Sequence, residues 1–195
     1  MPQDPSEKIS DAIRVYFAAN GFKPDGGYSD DFVVVKIGPI PVAFPNTKAR
    51  KRAVPHHDIH HVVTGFATTL RGEGEIGAWE IASSCADHYA AWLLNLGAMA
   101  IGLYIAPVRM WRAFLRGRHS GNTYRMAYDA QLLGKSVGEL QHELRLDKAV
   151  AAATLADKFA FFGWASLALW TGALQIGLYM LPLLLVAWGI WRWLH

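Results

Sequence analysis

From Phe159 to Trp191 the chain carries no charged residue. A helix rises 1.5 Å per residue, and a bilayer core of about 30 Å is crossed by about 20 apolar residues. This run is therefore long enough to span a membrane. Two full spans need about 40 residues, and no polar turn divides the run. One long helix, an interfacial helix plus one span, and a tight hairpin are all open, with a kink expected at Pro182. A second stretch, Tyr89 to Val108, is also free of charge and is followed by Arg109, Arg112, Arg116 and Arg118.

The rest of the chain fits a membrane setting. Charged residues make up 18%, against about 25% in an ordinary soluble domain. Mean hydropathy is +0.14, and the 8 Trp residues are of a type that gathers at membrane interfaces. The net charge of +3 is small, and its clustered basic residues suit anionic lipid better than a nucleic-acid face. Cys85 is the single cysteine, so no intramolecular disulfide can form. The N-terminus, Met1 to Pro5, is polar and acidic and lacks the apolar core of a secretory signal. The N-terminal part is therefore expected in the cytoplasm, on the cytoplasmic face of the inner membrane in a bacterium.

Periodicity predicts a mainly α protein. Residues 6–19 read as an amphipathic helix with Ile9, Ile13 and Tyr16 or Phe17 at helical spacing, ended by Asn20-Gly21. Phe32 to Ile37 is a β-branched run, Gly38-Pro39 a turn signal, and Pro41 to Phe44 a candidate return strand that Pro41 weakens. The basic run Lys48, Arg50, Lys51 and Arg52 follows, read as a solvated loop, a lipid-headgroup contact or an anion site. Pro55 is placed to open a helix running to about Gly65. A loop over 67–72 leads to a second long helix from about Glu73. Ser136 and Glu139 have the spacing of a capping box. The whole divides into a helical metal-binding domain, 1–150, and a hydrophobic membrane-associating segment, 151–195.

The chemistry concentrates in His57-Asp58-Ile59-His60-His61. At about 100° per residue, His61 falls about 40° from His57, and Asp58 about 100° from it. Paired histidines at i and i+4 with oxygen ligands nearby hold zinc or a similar divalent ion. His60 falls on the other side of His57, as a spare ligand or a supporting group, and His56 points further away. A fourth ligand is expected from the next helix, where Glu73 and Glu75 compete. On the face of Glu73, Gly77 leaves room beside an ion, and Glu80 is expected on the rim, where a carboxylate can move a proton. Cys85 reads as a packed small residue, while His88, His119 and His142 are single and take no role.

The run His57-Asp58-Ile59-His60-His61, eleven residues and then Glu73 resembles the HDxxH-x11-E signature of the coenzyme Q biosynthesis protein 4 family. Val63-Thr64-Gly65, the Glu73–Trp79–Glu80 order, Arg116-Gly117-Arg118 and Ser136 to Leu140 extend the likeness over about residues 45–146. The resemblance implies an all-helical, membrane-associated protein with a divalent metal, usually described as zinc, on His57, Asp58, His61 and Glu73. It implies a role in ubiquinone biosynthesis: oxidative removal of the C1 carboxyl from a prenylated aromatic ring, organisation of the other pathway enzymes, or both. A groove beside Trp92, Leu93 and Leu96 is expected to hold the prenyl tail. Zinc cannot change oxidation state, and histidines with carboxylates also suit iron. No nucleic acid is expected as a partner, and a homodimer is compatible with the sequence.

Two other classes fit the same residues. His57-x-x-His60-His61 reads as one box of a membrane lipid hydroxylase or desaturase, although those enzymes use several; a metal hydrolase belongs to the same class. A prenyl-lipid-binding scaffold with a structural metal is the non-enzymatic alternative.

Overall fold

A computed structural model describes residues 4–37 and 40–194; for 35–37, 40–42, 179, 182, 183 and 187 it describes the backbone alone. The Gly38-Pro39 turn signal and the side chains of Pro41 and Pro182 thus lie outside the described residues.

The first helix, α1 (Ile9–Asn20), buries Ile9, Ile13, Tyr16 and Phe17 and ends at Gly21, whose φ of 70° suits a residue without Cβ. Strands β1 (Phe32–Ile37) and β2 (Ile40–Pro45) form an antiparallel pair that sets Phe32 opposite Pro45 and Ile37 opposite Ile40. The expected hairpin therefore forms in spite of Pro41.

Helix α2 (Lys48–Thr64) starts earlier than Pro55 predicts. The Thr47 hydroxyl accepts a hydrogen bond from the Arg50 backbone amide and caps the helix there. The basic run is thereby helical, and Pro55 is an interior, buried residue.

The second long helix of the sequence reading is three helices. These are α3 (Leu70–Ser83), α4 (Tyr89–Ile105) and α5 (Pro107–Arg118). The first break has positive φ at Ser84 (79°) and Ala86 (47°), a left-handed backbone that no glycine announces. The second follows from Pro107, which opens α5. Two short helices follow, α6 (Ala130–Gly134) and α7 (Val137–Glu143), the latter with the full Ser136/Glu139 capping box. Finally α8 (Leu155–Leu194) is a single helix of 40 residues, roughly 60 Å long at 1.5 Å per residue. Of the three readings of the apolar run, the described residues follow the first.

Two larger hydrophobic clusters form the core, the first of them built on α2. One joins Ile9, Ile13 and Phe17 of α1 to Ile59, Val62 and Val63 of α2 and Leu140 of α7. The other joins Ile76 and Trp79 of α3, Met99 of α4, Phe114 of α5 and Ala168 of α8. Helix α3 lies close against α4 because Gly74 meets Gly102: a Cβ built on Gly74 would stand 2.8 Å from the Gly102 Cα. Gly77 likewise abuts the Asn95 carbonyl. Its small size serves helix contact and leaves no room beside an ion.

Among the described residues one helical segment, Leu155–Leu178, is long and apolar enough to cross a membrane, and only 17% of its apolar window is buried. Its start is anchored: Arg118 reaches Asp157 at 3.1 Å, and Asp157 accepts the backbone amide and hydroxyl of Thr154. Further along, Trp164 stacks on Trp92 at 5.1 Å. The groove expected at Trp92, Leu93 and Leu96 is thus partly filled, since Leu96 is also buried and Leu93 alone is open.

Candidate metal centre

Helix α2 presents His57 and His61 one turn apart, and the first turn of α3 brings Glu73 to meet them. The Nε2 atoms of His57 and His61 are 3.2 Å apart. Glu73 Oε2 is 3.5 Å from His57 Nε2, and Glu73 Oε1 is 3.4 Å from His61 Nε2. A tetrahedral ion with ligands at about 2.0–2.1 Å has ligand-to-ligand edges of about 3.3–3.4 Å, close to all three spacings. These residues form a group of metal-ligating types converging within 4.8 Å. Three protein ligands leave coordination positions open, and the Glu73 side chain, 35% exposed, lies on the open side.

The second nitrogen of each ring decides what Nε2 can do. His61 Nδ1 is 2.9 Å from the Phe66 carbonyl oxygen, which only accepts. His57 Nδ1 is 2.8 Å from Glu80 Oε1. Both Nδ1 atoms therefore donate, and each neutral ring turns a bare Nε2 lone pair towards the other and towards Glu73. Two lone pairs and a carboxylate at this range need a positive charge between them. Metal-bound histidines are held in this way, with the far N–H on a carboxylate or carbonyl.

The electrostatics agree. Burial opposes a charge on His57, but Glu80 and Glu73 outweigh it and raise its pKa well above the usual imidazole value. Burial also opposes ionisation of Glu73, yet the facing His57 and His61 rings lower its pKa to about 2. Without an ion, a proton on His57 supplies the missing charge.

Glu80 does not sit on the rim. It is fully buried behind His57, two turns along α3 from Glu73. Oε1 accepts from His57 Nδ1 and from His60 Nδ1 at 2.6 Å, and Oε2 accepts from the Tyr124 hydroxyl at 2.6 Å and from Asn95 Nδ2. An ionised carboxylate has about four acceptor positions, and all are used. Burial disfavours this charge, but His57 and His60 lower the Glu80 pKa well below the carboxylate range. His60 is neutral by its contacts: its Nε2 accepts the Thr123 backbone amide at 3.0 Å, so the proton sits on Nδ1.

Asp58 stands next to the triad without joining it. Its Oδ2 accepts from the Tyr28 hydroxyl at 2.6 Å, and its Oδ1 faces the Tyr16 hydroxyl at 3.5 Å. Burial raises its pKa, and the charges of His57 and His61 partly offset that. Glu75 is turned away: it pairs with Arg109 at 3.5 Å. Of the two competing glutamates, Glu73 is the one that faces the histidines. Cys85 is fully buried.

Asn95, Tyr124, Tyr28 and Thr123 escape a sequence reading of the site. Asn95 had one signal, as the sole amide side chain in the uncharged stretch Tyr89–Val108; a polar group in such a segment marks a partner nearby. Tyr124, Tyr28 and Thr123 lie in loops and reach α2 or α3 only through the fold. Comparison with known proteins matches the chain to no family model, no curated protein and no solved structure.

Proposed function

We propose that this protein is a membrane-associated, metal-dependent enzyme of ubiquinone biosynthesis that removes the C1 carboxyl of a prenylated aromatic acid. The observation that carries the metal is the pair of bare Nε2 atoms at 3.2 Å facing the Glu73 carboxylate. His57, His61 and Glu73 would hold the ion, with Asp58 beside them as a supporting carboxylate. A divalent ion held there supplies a Lewis acid for a carboxylate or phenolate oxygen. Zinc and iron both suit two imidazoles and a carboxylate; with either ion, the oxidative form of the reaction needs an oxidant such as dioxygen acting on the ring.

The chain's own residues divide the work. His57 and Glu73, the partly exposed members of the triad, define one edge of the opening, and His61 is buried behind them. Glu80 has no acceptor position left for a substrate proton, so its part is to fix the tautomer and direction of His57. The lipid tail has an apolar ledge close by. Gly74, next to Glu73, lies against Gly102, and beyond it Leu70, Ile101, Tyr104 and Ile105 are exposed. A depression of about 420 Å³ lies between Leu70, Arg71 and Ile105. The motif resemblance supports the substrate class, and the apolar exterior of α4 and α8 supports a membrane-borne one. The same reading places the helical domain on the cytoplasmic face, within reach of other pathway enzymes.

Turnover tests it. The purified, metal-loaded protein in lipid vesicles should release carbon dioxide from a carboxyl-labelled prenylated hydroxybenzoate in air. Glu73→Ala should abolish that release. No release by the metal-loaded wild type would overturn the decarboxylase reading and favour a scaffold.

A further inference from the structure

We infer that the cavity on the other side of α2 is a second binding site, for a phosphate group that still carries an O–H. The cavity, of about 540 Å³, is lined by Lys51, Arg52, His56, His88 and Arg125, with Asp87 at its edge. Asp87 is held by Arg52 at 2.5 Å. Arg125 is exposed and has no ion-pair partner among the described residues. Lys51 meets Asp31 at 3.7 Å. The lining thus carries three cations and one carboxylate, which favours an anion.

The imidazoles specify the kind of anion. His60 Nε2 accepts the Thr123 backbone amide, so the Thr123 hydroxyl, 2.8 Å away, can only donate to that nitrogen. Its oxygen is then the acceptor for His56 Nδ1 at 3.0 Å. His56 is thereby fixed with its proton on Nδ1, and its Nε2 is a bare acceptor on the cavity side. His88 is 5% exposed, and its buried Nδ1 has no hydrogen-bond partner among the described residues; it lies 3.4 Å from Asp87 Oδ1. A ligand for this pocket offers negative oxygens to Arg125 and Lys51 and an O–H to His56. Hydrogen phosphate and phosphate monoesters have both. Sulfate has the charge but no proton at neutral pH. A site built around a ligand hydroxyl rejects the analogue that lacks it.

The same phosphate chemistry is available free in solution or on a lipid headgroup. Calorimetric titration of the purified full chain with inorganic phosphate and with sulfate tests the pocket. Flotation with phosphatidylcholine vesicles, with and without phosphatidic acid, tests the source. Phosphate should bind at least tenfold tighter than sulfate, and Arg125→Ala, an exposed position, should weaken it at least tenfold with bound metal unchanged. Recruitment by phosphatidic acid that inorganic phosphate competes away and Arg125→Ala removes identifies the lipid source. Phosphate binding without such recruitment identifies the free one. Equal binding of sulfate and phosphate, binding unchanged in Arg125→Ala, or no phosphate binding at millimolar concentration would each overturn the site. Because the metal triad is not part of the pocket, these results stand apart from those on turnover.

Discussion

His57 and His61 face each other through Nε2 atoms 3.2 Å apart, and each gives its only neutral-state proton away on the far side, to Glu80 and to the Phe66 carbonyl. A proton or a metal ion must lie between them.

Proton and metal therefore compete. In the metal-free protein the raised pKa of His57 keeps it charged at pH 7, while Glu73, at about 2, is already ionised. Binding of zinc should release one proton per ion at pH 7. Affinity should rise about tenfold per pH unit while His57 remains protonated. Calorimetry in buffers of different ionisation enthalpy measures that proton; none released means that His57 is not a ligand. The sign for stability is opposite. A raised imidazole pKa stabilises the metal-free fold below about pH 6.5, and that contribution fades as pH climbs through the raised value.

Glu80→Gln should do two things at once. It removes the buried negative charge opposite His57 and turns an amide N–H₂ towards groups that themselves donate. Breaking a buried pair in this way costs about 3–5 kcal/mol, which lowers Tm by roughly 6–20 °C in a chain of this size. Loss of a partner that orients a metal-bound histidine weakens metal binding about 10- to 100-fold. Thermal unfolding and metal titration read the two effects. Metal affinity within threefold of wild type would show that Glu80 does not position His57.

Which parts of this were readable follows from how far apart the partners lie. His57 and His61 are one helical turn apart and are nominated before folding, whereas Glu73 and Glu75 compete in the sequence and Glu73 is preferred there only through the motif resemblance. The Glu80 cage depends on Asn95 and Tyr124, 15 and 44 residues away, and no local pattern carries such contacts. The break after Ser83 is hidden because Ser84 and Ala86, ordinary residues, take a backbone usually left to glycine. The early start of α2 was hidden by Pro55, a strong start signal overruled by the Thr47 cap. The hairpin was legible from the β-branched run Phe32 to Ile37.

The two glutamates of α3 separate cleanly. Glu73→Ala should remove metal binding, whereas Glu75→Ala should leave it within threefold, since Glu75 pairs with Arg109 on another face. Asp58→Ala should fall between them, at about 10- to 100-fold weaker binding, as for a supporting group. Equal losses at Glu73 and Glu75 would contradict the placement of α3.

The start of α8 depends on Asp157. Its carboxylate accepts hydrogen bonds from the Thr154 backbone amide and hydroxyl and from Arg118 Nε. Asp157→Ala should expose the 149–154 connection to limited proteolysis at neutral pH, with metal content unchanged. Cleavage no faster than in wild type would mean that the packing of Trp164 and Ala168 holds α8 without the anchor.

Metal content joined to X-ray absorption at the metal edge, on the purified full chain, addresses the centre directly. Wild type should carry one ion per chain, with two imidazole nitrogens at about 2.0–2.1 Å and oxygen ligands beside them. The doubly substituted His57→Ala/His61→Ala protein should carry none. An equal metal content in that variant, or a wild type that binds neither zinc nor iron when supplied, would contradict the site.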